Sequence, residues 1–90
     1  MDDAFNLGYV IGMIPLVMRS LETVAEAAQF FEGMHMRPSD VVMALTKDIS
    51  QRLKDNPFMN PKAEYAVVFA YLAGNGFEYD SDQRRFKEAV

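Results

Sequence analysis

The chain has 90 residues, half of them hydrophobic and 24% charged, with a formal net charge of −4 and no cysteine. That length limits it to one small domain with a modest core. The acidity argues against sequence-independent binding to nucleic acid or anionic lipid. The cysteine count excludes disulfides, Cys-ligated zinc and a thiol nucleophile.

The run Leu7 to Met18 is uncharged for 12 residues. A spanning helix needs about 20 apolar residues, so the run reads as a buried or oligomeric core helix rather than a membrane segment. A secretory leader would need a positive start, and this chain opens Met1-Asp2-Asp3. The expectation is a cytoplasmic protein with no membrane association.

Asp2 or Asp3 is placed to cap a first helix. Apolar residues then recur at spacings of three and four: Ala4, Leu7, Ile11, Ile14, Met18, Leu21, Ala25 and Ala28. A second row follows at Val10, Val17, Val24 and Phe31. The broad stripe predicts a helix packed into a core, with Glu22, Glu26 and Gln29 on its wet side. Pro15 interrupts the pattern without shifting its phase, which predicts one long helix kinked at Pro15. Gly33 is the expected stop, in a left-handed conformation.

Gly33 to Pro38 reads as a connection, and Ser39 or Asp40 as the cap of a second helix. Val42, Leu45, Ile49 and Leu53, with Val41 beside them, make its apolar face, and Asp48 and Arg52 are spaced to pair. Asn56-Pro57 ends it, after which Phe58 and Met59 are expected to plug the core edge. Asn60-Pro61 is a strong helix start. Residues 63–73 are apolar on nearly every side, which predicts a central helix. A strand over Tyr65 to Leu72 is the alternative, disfavoured by the cap and by the alanines at 63, 66, 70 and 73. Gly74-Asn75-Gly76 marks a turn. Phe77 and Tyr79 alternate with acids and predict an extended stretch. Asp80 or Ser81 is the expected cap of a last helix, Asp82 to Ala89, anchored by Phe86. The resulting fold class is all-α: a small bundle of three main helices plus a short C-terminal helix.

No constellation of a nucleophile, a base and an orienting group can be assembled, so the chain does not read as an enzyme. His35 is the sole histidine and reads as a loop residue, with no metal and no cofactor implied. Basic residues between Arg37 and Lys62, and again at Arg84, Arg85 and Lys87, are offset by nearby acids. Nucleic-acid binding is therefore not expected.

The functional clue is surplus apolar surface. If the stripe faces the core, then Phe5, Tyr9, Met13 and Leu16 fall outside it, and Gly12, with Gly8, would admit a close backbone neighbour. Self-association as a homodimer through these residues is the expected resolution. Met34, Met36 and Arg37, in the connection after the first helix, are the candidate surface for a second protein. In size and acidity the chain is similar to colicin-type immunity proteins and phage-encoded inhibitors, a likeness of composition that carries no residue across. The leading expectation is an interaction module: an inhibitor, antitoxin-like factor or adaptor. The alternative is a protein that binds or sequesters a nucleotide-like molecule in an intersubunit pocket, with Tyr65, Tyr71, Tyr79 and Arg37 as contributors.

Overall fold

The structure of the protein, a computed structural model, describes residues 14–89. Helix α1 occupies residues 14–20 there. It is followed by α2 (Val24–Gly33), α3 (Pro38–Asp55), α4 (Pro61–Glu64) and α5 (Ala66–Gly74). Strands β1 (Phe77–Asp80) and β2 (Arg85–Glu88) then form an antiparallel hairpin. The described residues thus form a mostly helical α+β arrangement of five helices and one hairpin, and the all-α class is corrected accordingly.

The expected long first helix stops at Leu21, whose N–H reaches the Val17 carbonyl at 3.1 Å. A new helix begins where the Thr23 side chain, on extended backbone, accepts the Glu26 N–H at 3.1 Å. Thr23-x-x-Glu26 is a capping signature. The apolar stripe stays in phase across the break, and the Thr23 hydroxyl replaces the i−4 carbonyl that the Glu26 N–H would meet in a continuous helix. Any bend at Pro15 depends on residues preceding the described ones.

The end of α2 also differs from expectation. Gly33 is helical, and the left-handed residue is His35, with φ 57°. The His35 N–H donates to the Glu32 carbonyl at 3.0 Å and the Met36 N–H to Phe31 at 2.9 Å. This paired closure satisfies the last carbonyls of the helix. It moves the chain reversal two residues past the glycine.

Pro38 is the first residue of α3, and its N-cap is Arg37 rather than Ser39 or Asp40. Asp40 sits in the first turn and reaches back to accept the Arg37 N–H at 2.9 Å. Val41, Leu45 and Ile49 are the buried row of α3, with Val42 and Leu53 half-buried beside it. Asn60 caps α4 as expected, its side chain accepting the Lys62 N–H at 3.2 Å. The single helix expected over 61–73 is broken at Tyr65, where φ is −122° and ψ 35°. The buried Tyr65 hydroxyl donates to Asp48 on α3, and the chain resumes as α5 around that fixed ring.

The predicted C-terminal helix is replaced by β2. Asp80 does act as a cap, accepting N–H bonds from Asp82 at 2.9 Å and Gln83 at 3.2 Å, but it closes a turn rather than opening a helix. Arg84 completes that turn at φ 55°, and Gly76 allows the preceding reversal at φ 87°. The register pairs Glu78 with Lys87 and Asp80 with Arg85, and brings Tyr79 opposite Phe86. Opposite charges on one face and aromatics on the other make the pairing self-consistent. A helix over the same residues would leave Phe86 as a lone anchor.

The core is built on Phe31, Val41, Leu45, Tyr65, Val68 and Leu72, all fully buried, with Met18 and Ile49 nearly so. Helix α5 is central, packing on α2 and on β1. Phe31 meets the Tyr71 ring at 5.2 Å between centroids, and Phe69 meets Tyr79 at 5.2 Å and Phe86 at 5.3 Å. Each fully buried large side chain contributes about 1.5–3 kcal/mol relative to exposure. Met59 seals the core edge as expected, whereas Phe58 is 95% exposed. Met43, on α3, is 73% exposed.

Candidate functional site

Three features stand apart from plain packing. The first is a polar cluster where α3 meets the α4–α5 break. Tyr65 donates its hydroxyl to Asp48, and Arg52 approaches Glu64 at 3.4 Å. The expected Asp48–Arg52 pairing is therefore replaced by two longer-range contacts that tie α3 to the next two elements. Burial, reinforced by the hydrogen bond and charge of Asp48, pushes the Tyr65 hydroxyl pKa well above its ordinary value, against a smaller pull from Arg52 and Arg19. The Arg52 Nε is buried without a hydrogen-bond partner among the described residues. Its guanidinium is half-exposed, so the cluster reads as a structural clamp.

The second feature is an open cleft of about 680 Å³ between the hairpin and α4–α5. Phe69, Tyr79 and Phe86 form one wall, and Lys62, Lys87, Glu78, Asp80 and Asp82 surround it. The three rings meet in tilted and edge-to-face contacts with centroids 5.0–5.3 Å apart. Burial raises the Tyr79 pKa, opposed by Arg84 and helped by Asp80.

The third is a smaller groove of about 180 Å³ between α1 and α3. Ile14, Pro15, Met18 and Ala44 line it, with Lys47 and Asp48 at the rim. It is the more apolar of the two cavities. Leu16 projects from the same helix, 60% exposed, while Ile14 and Met18 on the opposite side are buried.

Of the residues expected to carry self-association, Leu16 is exposed as anticipated; Phe5, Tyr9, Gly12 and Met13 lie outside the described residues. Met34 and Met36 are half-buried and packed against the core, so the expected methionine patch reduces to their outer edges. Arg37 is well exposed, 3.7 Å from Asp40. The tyrosines proposed for a ligand pocket separate: Tyr79 lines the cleft, while Tyr65 and Tyr71 are buried in the core. Sequence reasoning missed Met43 and Ala44. A helical wheel of α3 places both away from the row of Val41, Leu45 and Ile49.

Among the described residues, no group of three or more His, Asp or Glu side chains is placed to hold a metal ion. No helix among them is long and apolar enough to cross a membrane. Compared with known proteins, the chain matches no family model and bears no significant similarity to a curated protein or a solved structure.

Proposed function

We propose that the protein is a small acidic interaction module that forms a homodimer through its N-terminal apolar helix and presents the rest of its surface to another protein, as an inhibitor, antitoxin-like factor or adaptor does. The observation that carries this reading is Leu16. The described end of α1 has apolar residues on two sides, and only the side of Ile14 and Met18 faces the core. Apolar surface left over in this way favours association. The partner-facing surface is assigned to Met34, Met36 and Arg37, with Arg37 the exposed charge at its edge. A cytoplasmic location belongs to the same reading.

Sedimentation equilibrium and native mass spectrometry test it. The parent protein is expected at twice its monomer mass, and Leu16→Glu is expected to shift it toward monomer with an unchanged far-UV CD spectrum. A parent that stays monomeric at high concentration overturns the reading. So does a Tyr9→Glu, Met13→Glu double variant that keeps both the parent's mass and its fold.

The cleft beside Tyr79 favours a second reading, a small-molecule binder, because its volume suits a nucleotide-sized ligand. Thermal shifts against a nucleotide panel separate the two. A bound ligand at 100 dissociation constants adds about 2.7 kcal/mol of stability, and a dimeric interaction module gains nothing from the panel.

A further inference from the structure

We propose that the cleft beside β1 takes an extended segment of a partner protein as a third strand, one that alternates basic and apolar residues. The inference rests on the interaction-module reading above and adds a surface separate from Met34, Met36 and Arg37. A two-stranded hairpin has two free edges. The bond from the Ala89 N–H to the Gly76 carbonyl, 2.7 Å long, fixes which groups lie on them. Hydrogen-bonded pairs alternate along an antiparallel ladder. Counted from Gly76–Ala89, the Glu78–Lys87 and Asp80–Arg85 pairs are bonded, and Phe77–Glu88 and Tyr79–Phe86 are not. The N–H and C=O groups of Phe77 and Tyr79 therefore point away from β2, and they have no partner among the described residues.

The free edge of β2 runs beside α3, whereas that of β1 borders the open cleft of about 680 Å³. All four residues of β1 line this cleft, and Lys62, Ala70 and Ala73 of α4 and α5 stand on its far side. The free groups of Phe77 and Tyr79 repeat at about 6.8 Å along the strand, the spacing of an extended peptide backbone. Adding a strand to such an edge is a recurrent mode of peptide recognition. The side chains set the sequence of the incoming strand. On one face, Glu78 and Asp80 each have a cation opposite on β2 and an open side toward the cleft. A basic residue beside each continues the alternation of charge across the sheet. Around the whole cleft, Glu78, Asp80 and Asp82 outnumber Lys62 and Lys87. On the other face Phe77 and Tyr79 are half-buried, and the exposed Ala70 and Ala73, three apart on α5, leave room for apolar side chains.

Amide hydrogen exchange of the full chain, read by NMR, tests this. The probe is a short acetylated peptide alternating lysine and valine. Its controls are a glutamate–valine peptide and the lysine–valine peptide N-methylated at every residue, which has no backbone donors. In the free chain the Phe77 and Tyr79 amides are expected to exchange fast, and that of Glu78, already bonded to Lys87, slowly. With the lysine–valine peptide at about ten dissociation constants, exchange at Phe77 and Tyr79 slows about tenfold. Neither control has this effect. Glu78→Lys is expected to weaken binding about tenfold with the CD spectrum retained, and Glu78→Gln to weaken it less. Phe77 and Tyr79 amides that are already slow in the free chain overturn the proposal. So does a lysine–valine peptide that fails to bind, or that binds no better than its controls. Protection of the two amides by a nucleotide and by no peptide also overturns it, in favour of the small-molecule reading. Native mass spectrometry of the same samples separates the site from the dimer. A monomeric chain that binds the peptide loses the dimer and keeps the site, and a dimer that binds none does the reverse.

Discussion

Removing the Tyr65 hydroxyl tests whether the α3 to α4–α5 clamp stabilises the fold. In Tyr65→Phe the ring still fills its fully buried site, and only the donor to Asp48 is lost. A hydrogen bond to a charged group contributes about 1.5–3 kcal/mol. Asp48 is only half-buried at the groove rim, so water recovers part of that, and the expected cost is about 1–2 kcal/mol. For a domain of this size each kcal/mol moves Tm by about 4–8 °C. The complementary Asp48→Ala change leaves a buried phenol without its acceptor and costs about 1–3 kcal/mol. Urea unfolding followed by far-UV CD, at one fixed protein concentration, measures both single variants and the double variant. The double variant is expected to lose about 1 kcal/mol less than the two singles together, with an unchanged denaturant slope. Additivity within about 0.5 kcal/mol would mean the two groups do not interact and would refute the clamp.

Three further outcomes follow from other sites. His35→Gly relieves a left-handed backbone that costs a side-chain-bearing residue about 1–2 kcal/mol, offset by the greater freedom glycine has when unfolded. The net expectation is a gain of roughly 0.5–1 kcal/mol, read as a higher urea midpoint. Phe31→Ala empties a fully buried site between Phe30 and Tyr71 and costs about 3–5 kcal/mol, whereas Phe58→Ser, at a side chain 95% exposed, stays within about 0.5 kcal/mol of the parent. Equal effects in the two Phe variants would contradict the packing described. In alkaline solution the raised pKa values of Tyr65, Tyr71 and Tyr79 set the sign: their stabilising contribution is complete below the unfolded value near 10 and is lost above it, where the unfolded chain releases protons that the folded chain retains. Stability should fall with rising pH from about 10, less steeply in Tyr65→Phe, and a flat profile there would contradict the burial of the three hydroxyls.

Where a helix depended on local chemistry, its residues announced it. Asn60-Pro61 starts α4, the apolar row of α3 faces the core, and the all-round apolar segment after residue 65 is the central helix. The failures have separate causes. Thr23 and Glu26 carried a readable cap, but the stripe running in phase from Met18 to Ala28 concealed it, because periodicity reports a face and not continuity. Phe-Glu-Tyr-Asp and Arg-Phe-Lys-Glu each alternate, yet neither the four-residue loop between them nor any Asn-Gly signal marks a hairpin, and Asp80 caps a turn with the same atoms that cap a helix. The break at Tyr65 was not legible at all. The contact that accompanies it is to Asp48, a partner a whole element away, and contacts of that kind leave no trace in local pattern. The groove was missed for a related reason: Ala44 looks like filler in sequence and becomes part of a groove wall only when α1 lies against α3.

The aromatic trio of Phe69, Tyr79 and Phe86 has a kinetic consequence. All three rings come from consecutive elements, so α5 and the hairpin can close on each other through short loops, for which the entropy cost is low. Hairpins of this kind form within about 1–10 μs. The groove side of α1, by contrast, faces α3, whose residues are farther from it along the chain than those of the hairpin are from α5, so closing that contact spans a longer loop. The carboxyl-terminal half can thus order itself as an early unit, and the amino-terminal helix docks onto a surface that already exists.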